Sequence, residues 1–168
     1  MPRTVIGIVG AADPSPAHLD DARRMGRLVA GRGWVVLTGG RDAGVMAAAT
    51  AGAGEVPGSL TVGVLPGRSP GDASPAVDVA IVTGMGDARN AINVLSCHAV
   101  VACGIEGSGT ASEVALALKA GVPTILLRAE PDARSLFHRL GGPLLHVADS
   151  PEDALTQLEV LVAGPPHD

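Results

Sequence analysis

Aromatic residues are nearly absent from this 168-residue chain, which has one Trp, one Phe and no Tyr. Proteins that read single-stranded nucleic acid stack bases on aromatic platforms, and Trp34 and Phe137 alone make none. Positive charge is also scarce: 12 Lys and Arg face 17 Asp and Glu, for a formal net charge of −5. With no basic run to track a phosphate backbone, nucleic acid is excluded as the main partner. Lys119 is the only lysine, so Schiff-base chemistry has a single candidate. The two cysteines, Cys97 and Cys103, build no disulfide framework. If the residues between them form a strand at about 3.3 Å per residue, the sulfurs lie ~20 Å apart, outside disulfide reach. Their spacing matches no zinc pattern either, so Cys97 and His98 read as packing residues and no metal site is expected. These features suit a reduced, cytoplasmic protein. No apolar run approaches the ~20 residues of a membrane-spanning helix, so no membrane partner is expected. The apolar start, Val5 to Ala12, is short and meets Asp13-Pro14 at once; it reads as a buried strand rather than a signal peptide.

What the chain does have is apolar material in a regular alternation. Hydrophobic residues make up 46% and charged residues 17%, enough for a core and too little charge for disorder. Short apolar runs at Val5–Val9, Trp34–Leu37, Thr61–Leu65, Val77–Val82, Ala99–Ala102, Thr124–Leu127 and Leu144–Val147 predict seven strands. Between and after them, Ala17–Ala30, Ala43–Ala53, Asp87–Leu95, Thr110–Ala120, Asp132–Leu140 and Pro151–Val162 carry helical spacing or composition. Strands alternating with helices imply an α/β fold, a mostly parallel sheet covered by helices on both faces. Roughly 150 residues is an ordinary domain, so residues 1–163 are expected to form one domain and 164–168 a frayed tail. Pro66–Ala76, rich in Pro, Gly, Ser and Asp, reads as a loop.

In an open α/β sheet, ligands bind beyond the carboxyl ends of the strands, where the strand order reverses. Four post-strand loops draw notice: Gly10–Pro16, Thr38–Gly44, Thr83–Asp87 and Cys103–Thr110. Thr38-Gly39-Gly40-Arg41-Asp42-Ala43-Gly44 pairs glycines that expose backbone N–H groups with the positive end of a helix, a setting for an anion. A plain strand-to-helix turn capped by Asp42 fits it as well. Gly107-Ser108-Gly109-Thr110 repeats the arrangement as a backbone-lined cradle, without matching a Walker loop or the dinucleotide fingerprint. Thr110-x-x-Glu113 has capping-box spacing, which would make Glu113 a helix cap; a carboxylate pointing into the cleft is the alternative. In Gly86-Asp87-Ala88-Arg89-Asn90, Asp87 reads as an N-cap, so Arg89 falls in the first turn, where the helix dipole disfavours a cation by a few tenths to about 1 kcal/mol. A shared anionic ligand removes that conflict, because guanidinium grips phosphate with two prongs; an ion pair with Asp87 or Glu113 is the other outcome. His18, His138 and His146 are isolated and read as surface or packing residues. Neither Ser108 nor Ser112 sits in a nucleophile elbow.

Together and in order, Leu37-Thr38-Gly39-Gly40-Arg41-Asp42-Ala43-Gly44-Val45-Met46, Gly86-Asp87-Ala88-Arg89-Asn90 and Gly107-Ser108-Gly109-Thr110-Ala111-Ser112-Glu113 resemble the LONELY GUY superfamily, most of all its branch related to molybdenum cofactor carriers. The likeness runs from about residue 4 to residue 127. It implies a Rossmann-like, doubly wound fold and a homodimer or homotetramer. It implies a phosphorylated small molecule as partner, with no resident cofactor required: a nucleoside monophosphate, phosphate or a molybdopterin-type cofactor. In the cytokinin-activating enzymes of the superfamily the activity is phosphoribohydrolysis of nucleoside 5′-monophosphates. Their essential arginine and glutamate correspond to Arg89 and Glu113, and Gly39, Gly40, Gly44, Gly107, Ser108, Gly109 and Thr110 to the phosphate-binding loops. The lysine decarboxylase label attached to some members has no support here. Departures from the enzyme motifs are Ile105, Glu106, Asn90 and Ser112. A glutamate at 106 beside a phosphate cradle repels the ligand unless it points away. The departures favour a nucleotide- or cofactor-binding protein; the hydrolase, and a scaffold whose site has decayed, are the alternatives.

Overall fold

The computed structural model describes residues 3–164. Seven strands, β1 (Val5–Val9), β2 (Val35–Thr38), β3 (Leu60–Leu65), β4 (Val79–Val82), β5 (Ala99–Cys103), β6 (Thr124–Leu127) and β7 (Leu145–Ala148), form one sheet in the order β4-β3-β2-β1-β5-β6-β7. Every strand pair is parallel. The helices are α1 (Pro16–Gly31), α2 (Gly44–Gly54), α3 (Asn90–Leu95), α4 (Ser108–Lys119), α5 (Pro131–Gly141) and α6 (Pro151–Val162). The strand order reverses between β1 and β5, the doubly wound α/β pattern in which a crevice opens at the switch point.

Strand alternation divides the core into two layers. Ala99, Val101 and Cys103 of β5 join Ile6, Ile8 and Val36 beneath α1, α2 and α6. Val100 and Ala102 face the other way, with Val9, Leu126 and Val114, beneath α3, α4 and α5. All five residues of β5 are buried, as a central strand between helix layers requires. β4 is an edge strand with all four residues exposed. Small residues set the helix spacing: a β-carbon on Gly26 would meet the Ala49 carbonyl oxygen at 1.9 Å, so α1 and α2 touch backbone to backbone.

Element boundaries moved where side chains took over from pattern. The expected fourth strand begins at Val79, not Val77, because the Val77 N–H turns back onto Ser74 O and the Asp78 N–H donates to Thr61 Oγ1. The helix expected over 87–95 splits into a 3-10 turn, Gly86–Arg89, and the short α3. Asp87 is therefore no N-cap: the turn is entered from Met85, without a side-chain cap. Pro70–Asp72 forms a 3-10 turn within the expected loop. Beyond Gly164, the tail expected over 164–168 lies outside the described residues. Among the described residues no helix is long and apolar enough to cross a membrane.

Candidate functional site

Three of the chain's glycine-rich segments meet at the β1/β5 switch point. A cleft of about 320 Å³ opens there, lined among others by Gly39, Arg89, Gly107, Ser108, Gly109 and Thr110. Gly10, Ala11 and Ala12, following β1, close its inner side. Gly40 and Gly44 sit off the cleft wall and shape the loop instead. Gly40 packs on Gly63, while Gly44, at φ +49°, presses on the backbone of Ala11 and Ala12.

α4 begins at Ser108, two residues before the sequence pattern places it, with Gly107 as N-cap in extended conformation. No side chain caps it. The first N–H groups of a helix have no intrahelical partner, so Ser108, Gly109 and Thr110 present theirs to the cleft at the positive end of the dipole. The shift also overturns the capping box. Thr110 is not the N-cap, and Glu113, one turn into the helix, caps nothing; its Oε1 accepts a hydrogen bond from Asn93 Nδ2 at 3.2 Å. Likewise Asp42 does not cap α2, whose N-cap is Ala43 with no side-chain bond.

Arg89 ends the 3-10 turn and precedes α3, and it is 8% exposed. Its guanidinium lies against Gly39: a β-carbon there would come within 2.8 Å of Nη2 and 2.9 Å of Nη1. The glycine thus makes room for the arginine. Arg89 Nη1 donates to Asn90 Oδ1 at 2.9 Å and stands 3.8 Å from Glu113 Oε1, while Nε is buried without a partner. Burial lowers the Arg89 pKa, Glu113 opposes that fall, and the nearby Arg41 adds to it. Burial raises the Glu113 pKa above the ordinary carboxylate value, against the bond from Asn93 and the charge of Arg89. A buried guanidinium, its Nε unpartnered, and a buried carboxylate therefore line the cleft together with the open start of α4. Such a cleft can receive an anion, and it can exchange a proton through Glu113.

Asn93 escaped the sequence reading, and Asn90 entered it only as a departure from the enzyme motifs. The Arg89-x-x-x-Asn93 spacing, one helical turn apart and so on one face, was the available signal. Beneath them Cys97 Sγ donates to the Asn93 carbonyl at 3.0 Å, and burial pushes this thiol up to about 12. Arg41 and Met46 also line the cleft.

Glu106 points away from the cradle. Its carboxylate accepts from the Ser15 N–H at 3.1 Å, and its Oε1 lies 3.1 Å from His18 Nδ1. Burial alone would raise its pKa, but the His18 and Ser15 bonds outweigh that and lower it. His18, expected to be isolated, thus joins the cradle loop to the start of α1. His98 is similarly engaged, its Nδ1 accepting from the Val5 N–H at 3.1 Å. Both cysteines are free and buried, and no metal-binding group of three or more His, Cys, Asp or Glu occurs among the described residues.

Known proteins share this fold. The molybdenum cofactor binding protein of the phototrophic bacterium Rippkaea orientalis is 45% identical, with a TM-score of 0.93 over 96% of this chain and 99% of its own. The molybdenum cofactor carrier protein of Chlamydomonas reinhardtii is also 45% identical, with a TM-score of 0.91 over 97% of this chain and 100% of its own. An uncharacterized protein of Archaeoglobus fulgidus is 41% identical over 116 residues, covering 69% of this chain and 74% of that protein. The family model of SLOG cluster4 matches residues 3–155. The chain belongs to the SLOG cluster4 family.

Proposed function

We propose that this protein binds a phosphorylated small molecule, of the molybdenum cofactor or nucleotide kind, and carries it rather than transforms it. The observation that supports this most is that Arg89, 8% exposed, lines the same cleft as Ser108, Gly109 and Thr110 at the uncapped start of α4. A phosphate in the cleft supplies acceptors for the guanidinium and for these N–H groups. Charge-assisted bonds of this type are the strong ones, and a phosphate also reverses the dipole conflict at Arg89. The two structural relatives named for the molybdenum cofactor point to a pterin-type cargo for this cleft. The residues present suit the phosphate end of that cargo. Glu106, paired with His18 and Ser15, does not obstruct it, which weakens the case for a decayed site. Isothermal titration with inorganic phosphate, nucleoside monophosphates and a phosphorylated pterin tests the proposal. Folded protein that binds none of them would overturn it.

A second reading has its own support. In this reading Glu113, buried beside Arg89 with a raised pKa, would serve as a proton-exchanging or cation-stabilising group for N-glycosidic cleavage of a nucleoside 5′-monophosphate. Chromatography of AMP incubated with the protein decides between them: release of adenine that is lost in Glu113→Gln favours hydrolysis, and no release at high protein concentration favours carriage. A homo-oligomer belongs to the same proposal, and exposed apolar side chains on β4 (Val79, Ile81) and α3 (Leu95) give it surface to use. Sedimentation equilibrium reads it directly; a monomer at micromolar concentration contradicts it.

A further inference from the structure

Arg41 is the one residue common to the cleft and to a second recess, of about 820 Å³, whose lining includes Pro66, Gly67 and two carboxylates, Asp42 and Asp72. This recess is fastened to the glycine loop. Arg41 pairs with Ala73 in an antiparallel bridge, the Ser74 N–H donates to Gly40 O at 2.8 Å, and Ser69 Oγ accepts from the Gly71 N–H at 3.1 Å. The two cavities therefore meet at Arg41, and a ligand longer than a phosphate can continue from one into the other.

Charge supports the same path. Arg89 has Glu113 at 3.8 Å, whereas Arg41 makes no ion pair among the described residues. Arg41 adds a second guanidinium to a cleft in which Arg89 stands with the carboxylates of Asp87 and Glu113, and it lies where the two cavities meet. In the recess, Asp72 is exposed, with no protein hydrogen-bond or ion-pair partner among the described residues, and its Oδ2 stands over Gly67, 3.0 Å from where a β-carbon would be. A carboxylate offers acceptors only, so it is matched by a ring edge with adjacent N–H donors.

We infer that the binding site has two parts: the phosphate rests on Arg89 and the start of α4, the ligand passes Arg41, and Asp72 receives the paired N–H donors of a 2-amino-4-oxo ring. That edge is common to guanine and pterin. Adenine offers a donor beside an acceptor and fits worse. The inference rests on the phosphate-binding reading above and specifies the other end of its ligand.

Titration calorimetry of the full chain with inorganic phosphate, GMP, AMP and a side-chain-phosphorylated pterin tests it. Wild-type protein is expected to bind GMP about 10-fold more tightly than AMP, in line with one well-made bidentate edge contact, and Asp72→Asn to erase the difference. Gly67→Leu, which fills the recess against a movable carboxylate, is expected to weaken GMP and the pterin while leaving inorganic phosphate unchanged. Arg41→Ala weakens all four. Whichever of GMP and the pterin binds more tightly names the source of the ring edge, provided that Asp72→Asn weakens it. Equal binding of GMP and AMP, or no effect of Gly67→Leu and Asp72→Asn, overturns the inference while phosphate binding lost in Arg89→Ala still upholds the first part. Failure of wild-type protein to bind even inorganic phosphate overturns the function proposal instead.

Discussion

Removing Arg89 is predicted to destabilise the protein in a pH-dependent way, because its charge partner is a buried carboxylate. In Arg89→Ala, Glu113 keeps Asn93 but loses a guanidinium 3.8 Å away. Unit charges at that separation interact by ~4 kcal/mol at an effective dielectric of 20 and by ~1 kcal/mol in bulk water. The pair sits on the floor of an open cleft, with side chains 10% and 11% exposed, so a loss of about 1–3 kcal/mol is expected when Glu113 is ionised. Burial already raises the Glu113 pKa and Arg89 holds it down, so the substitution raises it further. Across the window above the unfolded carboxylate value, the folded state then binds more protons than the unfolded one, and stability falls as pH rises. At low pH Glu113 is protonated and needs no cation, so the two proteins converge. Urea unfolding of wild type and variant between pH 4.5 and 8 reads this. A stability difference that widens with pH supports the pairing; one that is the same across the range, or narrows, refutes it.

Three further outcomes are expected. Gly44→Ala places a β-carbon 2.2 Å from Ala11 O at a backbone φ of +49°, so a loss of about 1–3 kcal/mol and a lower melting temperature should follow; an unchanged Tm contradicts the close approach of α2 to the loop after β1. Glu106→Gly removes the tie between cradle loop, Ser15 and His18 and should weaken phosphate binding about 2- to 10-fold, the worth of one or two hydrogen bonds; a gain in affinity would instead mean that Glu106 obstructs the site. Cys97, pushed up to about 12, and the fully buried Cys103, pushed up further, should resist a thiol reagent at pH 8 in native protein and react in denaturant; rapid native labelling contradicts their burial.

The architecture was legible because a parallel sheet between helices writes itself in continuous apolar strands, and all seven appear where Val-, Ile- and Leu-rich runs place them, within about two residues at each end. The parts of the site carried by backbone were legible as well: paired glycines after β2 and before α4 announce turns and close approaches. Partnerships were not. Spacing suggested that Glu113 closed a capping box, but the helix began earlier, at Ser108, and a two-residue shift moves a side chain from a helix end to its flank. Glu106 was readable as an anomaly and not as a partner of His18, because the two lie 88 residues apart in sequence and only the β1/β5 crossover brings them together. Arg41 stood within a recognised motif, yet its place between two cavities depends on how the Pro66–Pro75 segment folds back onto it, a contact that no local pattern encodes.

The central claim is that one buried guanidinium and one open helix start hold the same anion. A crystal structure of the protein soaked with inorganic phosphate tests it most directly. The account predicts phosphate oxygens about 2.7–2.9 Å from Arg89 guanidinium nitrogens, with bonds from the N–H groups of Ser108, Gly109 or Thr110. Phosphate bound elsewhere on the surface, with Arg89 contacting only Glu113 and Asn90, would contradict it.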